Sequence, residues 1–339
     1  MKDTKYPANY EIDIAGLCNL RCKFCSEGKR INEQPQRFMS LEEFKQVTSS
    51  FLPYAKRISL TSWSEPFLNK DVFKIIRYIK ERSEEISVAM STNGNRFSEE
   101  DAHNLVKLSP DYLVISLSGI TNDIYRRYHV GGDLNRVIKT LEYITSAKEY
   151  YKSIKPFIEI VYLMFPFNYI LLGQLKRFLY KKIGPDRFRQ INYIRLNYGY
   201  FCGSDLTLEQ LAKTYGKDLN VYKHPIYLRQ DCNRAHNNPA IRADGTLFPC
   251  CAITYNQKHA CGNLKSDSFD KIWNSKDYQK FRKTFDERTN SLCESCTWYF
   301  PAHKIKLDRF LIHRIKGRLW LLKKHPFFHG RDKDSQEDS

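Results

Sequence analysis

Residues 9–25 read NYEIDIAGLCNLRCKFC, and the two halves of this stretch carry different signals. The first half, NYEIDIA (9–15), alternates apolar and polar residues with the period of a half-buried strand, and Gly16 ends it. The loop straight after it holds Cys18, Cys22 and Cys25, with no fourth cysteine nearby. Thiolates at this spacing on a tight loop can each reach one iron of a cubane cluster. Three of them leave the fourth iron open to a non-protein ligand, much as catalytic zinc sites keep a position free. The bland alternatives are incidental buried cysteines or part of a zinc site.

Strand-like runs recur downstream at 57–62 (RISLTS), 86–92 (ISVAMST), 112–118 (YLVISLS), 157–163 (FIEIVYL) and 192–197 (NYIRLN). Between them lie segments with apolar residues at helical spacing, including 70–81 and 134–147. In 40–52, Ser40 and Glu43 form a capping box, and Leu41, Phe44, Val47 and Phe51 make the inner stripe. Six strands separated by helices predict a parallel sheet with right-handed crossovers. Polar residues cluster after the strands, in TSWSEP (61–66), STNG (91–94) and SLSG (116–119). That favours a partial (β/α)6 TIM-like barrel, whose ligand mouth sits at those ends, over an open doubly wound sheet.

The rest of the composition bounds the class. The 339 residues, 42% hydrophobic and 14% aromatic, suit one large domain and a smaller one. The N-terminal stretch lacks the apolar core of a signal peptide, and no apolar run is long enough to span a membrane. Ten cysteines without an export signal point to the cytoplasm and to metal binding rather than disulfides. The net charge of +17 suggests an acidic or phosphorylated partner.

Taken together, C-x3-C-x-Φ-C after the first strand and the ordered strand-end motifs resemble the radical S-adenosylmethionine (radical SAM) enzymes over about residues 9–200. The resemblance implies that Cys18, Cys22 and Cys25 hold a [4Fe-4S] cluster, with Phe24 beside it. It also implies that the amino and carboxylate groups of S-adenosylmethionine complete the fourth iron. Reductive cleavage of that cosubstrate would then give a 5′-deoxyadenosyl radical that abstracts hydrogen from substrate. Ser64, Glu65 and Pro66 match the stretch that receives the methionine ammonium, although Ser64 replaces the family's Gly. Thr92, Asn93, Ser116 and Ser118 match positions lining adenosine and ribose, where hydroxyl and amide groups suit the sugar. In YRRYHVGGDLNRVIKTLEYI (125–144), Arg126 or Arg127 would reach the cosubstrate carboxylate, against the plainer reading of a solvated surface pair.

A second cysteine set follows. Cys232-x17-Cys250-x42-Cys293-x2-Cys296, with ADGTLFP read as a hairpin on an Asp-Gly turn, resembles the single-cluster twitch form of the SPASM extension. It implies a second, auxiliary [4Fe-4S] cluster on these four cysteines, with Cys251 and Cys261 as spares and Cys202 apart. The rival for this half is a zinc ribbon that binds nucleic acid. A rival for the whole chain is an iron–sulfur carrier with no reaction of its own. The division expected is 1–200 barrel, 201–303 twitch domain and 304–339 tail.

An auxiliary cluster of this kind takes an electron from a substrate radical or holds substrate. The expected enzyme is therefore a radical SAM oxidoreductase acting on a small alcohol, sugar or glycan, fed by a flavodoxin- or ferredoxin-type donor. Only 17 residues precede Cys18, which is short for a leader-peptide-binding domain. Cross-linking or epimerisation of a ribosomal peptide is the alternative. The segment 304–324 carries a basic amphipathic helical pattern, with Leu307, Leu311, Ile315, Leu319 and Leu322 on one stripe. It packs on the barrel or, as a peripheral contact, lies on an anionic membrane surface.

Overall fold

Strand β1 (Asn9–Ile12) lies inside a sheet whose order is β6-β5-β4-β3-β2-β1-β7-β8-β9. The other members are β2 (Arg57–Ser59), β3 (Ser87–Thr92), β4 (Tyr112–Ser116), β5 (Phe157–Met164), β6 (Ile191–Tyr198), β7 (Ala240–Ile241), β8 (Thr246–Phe248) and β9 (Gly262–Asn263). This computed structural model describes residues 6–23, 25, 27, 28, 36–165, 167, 168, 171–198, 232–254, 256–287 and 289–294. Phe24, Cys202, Cys296 and the segment 304–324 lie outside the described residues.

From β1 to β6 every strand is parallel to its predecessor and beside it. A doubly wound sheet reverses its strand order at a switch point. Here the order never reverses, so successive crossovers turn the same way, as in a barrel. The helices are α1 (Leu41–Thr48), α2 (Val72–Arg82), α3 (Glu99–Leu108), α4 (Asn122–Arg126), α5 (Leu134–Tyr150), α6 (Leu172–Ile183) and α7 (Pro185–Arg189).

Strand alternation explains where the helices sit. Ile12, Ile58, Val88, Leu113, Ile115, Ile158 and Ile160 are buried in one core with Phe44, Ile75, Leu105, Val137 and Leu141 from the helices. Each such side chain contributes roughly 1.5–3 kcal/mol by leaving water. Truncating Leu141 to Ala would cost about 2–5 kcal/mol. The expected capping box is present: Glu43 N donates to Ser40 Oγ at 3.2 Å, and Ser40 N donates to Glu43 Oε2 at 2.9 Å. A second box, Ser98 with Asp101, starts α3.

The C-terminal portion does not hang off this sheet; it continues it. β7 pairs parallel with β1, and Glu11 N and Asp13 N donate to Pro239 O and Ile241 O at 3.0 and 2.8 Å. β7 and β8 form the expected hairpin, with Gly245 at φ +87°, which the turn closes cheaply only with glycine. Among the described residues, four helices accompany it: α8 (Arg234–Asn237), α9 (Phe269–Trp273), α10 (Lys276–Asp286) and α11 (Ser291–Glu294). Phe269 of α9 packs on Tyr10 and Phe51, with ring centroids 5.7 and 5.1 Å apart. The core is therefore shared between the two portions.

Candidate active site

The cysteine loop leaves β1 through a carboxylate that the sequence reading did not single out. Asp13 accepts the backbone N–H groups of Ala15 and Gly16, each at 3.2 Å, and that of Trp63 at 3.4 Å. It also accepts the Ser64 hydroxyl, so one buried acid ties the start of the loop to the segment after β2. Cys25 N donates to Cys22 O at 3.2 Å, turning the chain between these two cysteines. Gly28 closes the turn: a Cβ there would lie 2.2 Å from Cys22 O, so no larger residue fits.

Other strand ends hold the loop from outside. Glu65 N donates to Leu17 O at 3.0 Å, and Asn93 Nδ2 donates to Asn19 Oδ1 at 2.9 Å. After α4, a strap pairs with the loop through Arg21 N to Val130 O at 2.9 Å and Lys23 N to Tyr128 O at 3.2 Å. Burial, then the nearby Glu65 charge and Cys25, push the Cys18 thiol up to about 12. A thiol so protonated needs a bound cation to become a thiolate, as metal loading coupled to proton release provides.

Among the described residues, no three His, Cys, Asp or Glu side chains converge as one metal ion would require. A cubane cluster asks for something else, one thiolate per iron corner, and three thiols spread along one short loop match that demand.

Glu65 is buried at 2% exposure. It accepts Thr92 Oγ1 and Asn93 N at 2.7 Å each and Phe67 N at 3.3 Å. No described Lys or Arg forms an ion pair with it, and burial pushes its carboxyl up to about 7. A buried carboxylate with donors on its sides and no cation in place fits the ammonium of the cosubstrate. Pro66 opens a 3-10 turn that Glu65 caps, which explains the Glu-Pro order.

The remaining expected residues divide. Thr92 and Asn93 lie beside Glu65, and Asn93 also reaches Cys18 Sγ at 3.6 Å. Ser116 is half-buried at the end of β4. Ser118 is fully buried, and its hydroxyl meets His129 Nε2 at 3.0 Å. Arg126 donates to Gly132 O at 2.9 Å, and Arg127 lies over the Phe167 ring at 5.7 Å. His129, which the sequence reading passed over, faces Cys22 Sγ with Nδ1 at 3.5 Å. Burial pushes its imidazole down to about 3.

The second cysteine set is built against β1. Arg234 of α8 donates to Glu11 Oε1 at 2.6 Å and to Cys251 Sγ at 2.9 Å. Trp63 Nε1 donates to Cys251 O at 3.1 Å. The Cys251 thiol donates to Cys250, lowering the Cys250 thiol and raising its own. Burial pushes Cys261 up to about 12, and its side chain packs against the core. Buried Arg242 donates from Nε to Thr254 O at 2.5 Å, fixing the 3-10 turn that follows Cys250.

A singly wound β/α sheet with a three-cysteine loop and a buried acid at its strand ends, extended by a second cysteine-bearing portion, defines a class of cluster enzyme. Residues 12–169 match the family model of the Radical SAM superfamily, and residues 232–297 match the SPASM iron-sulfur cluster-binding domain. The chain thus carries a radical SAM domain followed by a SPASM iron–sulfur domain, and the two domains imply [4Fe-4S] clusters and S-adenosylmethionine.

Among curated relatives, a probable GTP 3′,8-cyclase of Methanococcus maripaludis is 31% identical over 40% of this chain. That match spans 44% of the cyclase, so the chain covers less than half of its length. A tungsten-containing aldehyde ferredoxin oxidoreductase cofactor-modifying protein of Pyrococcus furiosus is 25% identical over 84% of this chain and 85% of its own. Among solved structures, Streptococcus suis SuiB bound to its precursor peptide SuiA aligns at TM-score 0.59 and 16% identity, over 86% of this chain and 70% of SuiB. BtrN in complex with AdoMet and 2-DOIA aligns at 0.52 and 17%, over 85% and 92%. At these identities the structures share the fold. Among the described residues, no helix is long and apolar enough to cross a membrane.

Proposed function

We propose that this protein is a radical SAM oxidoreductase that dehydrogenates a small hydroxylated or sugar-like substrate held inside the barrel. The supporting observation is the character of the inner sheet face. The core residues of β2, β4 and β5 point under the helices, so alternate residues face inward: Arg57 and Ser59, Tyr112, Val114 and Ser116, and Glu159, Val161 and Leu163, the three aliphatic ones sharing an apolar cluster. Arg195 of β6 pairs with Glu159, which is 1% exposed, and Arg57 lies 5.5 Å over the Tyr112 ring. Such a lining sets charged and hydroxyl groups beside the apolar wall of Val114, Val161 and Leu163, which suits a hydroxylated ring with polar edges and an apolar face.

In this reading Cys18, Cys22 and Cys25 hold the first cluster, while Cys232, Cys250, Cys293 and Cys296 hold the second. When bound, the first cluster with S-adenosylmethionine supplies a hydrogen-abstracting radical, and the second supplies an electron acceptor. Glu65 holds the cosubstrate ammonium. Thr92 and Asn93 orient that carboxylate, and Ser116 borders the sugar. A low-potential flavodoxin- or ferredoxin-type protein is the electron donor.

The test is an anaerobic incubation of fully loaded protein with S-adenosylmethionine, reductant and a panel of polyols, aminocyclitols and sugars. A substrate oxidised in this way gives a product lighter by a hydrogen pair, with 5′-deoxyadenosine in equal amount. Turnover to a product of unchanged mass, or turnover confined to peptides, would refute the reading.

A further inference from the structure

We infer that His129 positions a proton toward Cys22 and thereby tunes the cluster held by the first cysteine loop, with Ser118 fixing the tautomer. The strap after α4 meets the loop through hydrogen bonds on both sides of Cys22: Arg21 N to Val130 O at 2.9 Å and Lys23 N to Tyr128 O at 3.2 Å. This antiparallel pairing sets Cys22 directly opposite His129. Their side chains meet at 3.5 Å, Sγ to Nδ1. The imidazole is 2% exposed and is clamped between the Tyr125 ring, stacked at 4.4 Å, and the Tyr128 ring at 4.7 Å. It cannot swing away without breaking that packing.

The tautomer follows from the chemistry of the two partners. A protonated Cys22 thiol can donate to Nδ1 or accept from it. A cluster-bound thiolate has no proton and can only accept. The neutral ring must then carry its proton on Nδ1, and Nε2 must accept from the Ser118 hydroxyl at 3.0 Å. Ser118 is fully buried, and Asn168 Nδ2 holds its backbone by donating to its carbonyl at 2.8 Å. An N–H bond to a cluster sulfur stabilises the electron-rich reduced state more than the oxidised one, so it raises the reduction potential. The serine after β4 thus acts on the cluster through His129.

The inference rests on Cys22 being a ligand of the cluster, and the experiment separates the two. The readout is the midpoint potential of the electron paramagnetic resonance signal that responds to S-adenosylmethionine, in fully reconstituted protein with measured iron content. His129→Phe keeps an aromatic ring but loses the donor. Its midpoint should move negative by a several-fold, up to about tenfold, change in the reduction equilibrium, which is about 59 mV for one electron. His129→Asn, whose Nδ2 stands near the position of Nδ1, should recover most of the shift. Ser118→Ala should move the midpoint in the same direction by less, and it decides the matter if His129→Phe does not load. Unmoved midpoints in His129→Phe and Ser118→Ala, or a shift that Asn does not recover, would overturn the inference. Survival of the responsive signal in Cys22→Ala would overturn the ligand reading, and this inference with it.

Discussion

The two cysteine sets are opposites in how they are written and how they are held. Cys18, Cys22 and Cys25 lie within eight successive positions of one loop, yet their surroundings arrive from three other strand ends: Glu65, Asn93 and the His129 strap. Cys232, Cys250 and Cys293 are scattered over 62 positions, and the described side-chain link back to the strand that launches the first loop runs through the neighbouring Cys251, by way of Arg234 to Glu11. In the proposed reading, local spacing fixes where the first cluster sits, and distant residues fix its electrostatics. For the second set the fold must do the gathering.

The largest effect expected tests whether the two sets are chemically separate. Replacing Cys18, Cys22 and Cys25 with Ala should remove about half the iron of reconstituted protein and abolish 5′-deoxyadenosine formation. Replacing Cys232, Cys250 and Cys293 should remove the other half and leave cosubstrate cleavage without substrate oxidation. Equal loss of cleavage in both variants would erase the distinction.

Next comes Glu65, which belongs to the first set alone. Glu65→Gln should weaken S-adenosylmethionine binding by about tenfold or more, since a charge-assisted contact is worth roughly 1.5–3 kcal/mol, with iron content unchanged. The sign of its pH dependence is fixed by the raised carboxyl, near 7. Below that pH the free protein carries a neutral Glu65, so an ammonium must displace a proton. Affinity should therefore rise between roughly pH 6 and 8 in the unaltered protein, more steeply than in Glu65→Gln. A dissociation constant indifferent to both changes removes Glu65 from the site.

Arg234 sharpens the comparison from the other side. Arg234→Gln breaks a half-buried bond to the Glu11 carboxylate and should lower stability by about 1–3 kcal/mol in thermal unfolding. It should also reduce iron in the second set more than in the first. The smallest effect belongs to neither set. Asp111, below β4, accepts Lys80 Nζ and Lys155 Nζ at 2.6 Å each, and these partners hold its carboxyl below the usual aspartate value. A depressed carboxyl stabilises the fold above its unfolded pKa and loses that contribution as pH falls through the folded one. Asp111→Asn should thus cost about 1 kcal/mol near neutrality and close the gap to the unaltered protein in acid.

Much of the frame was legible because the signals were periodic. Strands β1 to β4 fell within the expected runs, β5 overran its run by one residue and β6 by one at each end, α1, α2 and α5 appeared where apolar spacing put them, and the Asp-Gly hairpin closed as expected. The three-cysteine loop needed no fold to be recognised. His129, Asp13 and Arg234 were not legible, because each acquires its role from a partner far along the chain. In YRRYHVGG the arginines drew attention as charges, while the histidine matters through a backbone pairing that no local pattern announces. The one available signal was a lone histidine between aromatic residues and a Gly-Gly pair, just after a strand-end motif. The pairing of β7 with β1 was equally hidden, since two residues, Ala240 and Ile241, carry no period at all.

That short strand has a consequence beyond the sites. It covers the outer side of β1, whose Glu11 and Asp13 amides would otherwise face solvent as an open template for another chain. A barrel stripped of its C-terminal portion would therefore be sticky along the very strand that feeds the cysteine loop. Failure to assemble the distal portion would show itself first as self-association of the whole protein, and only later as a missing colour.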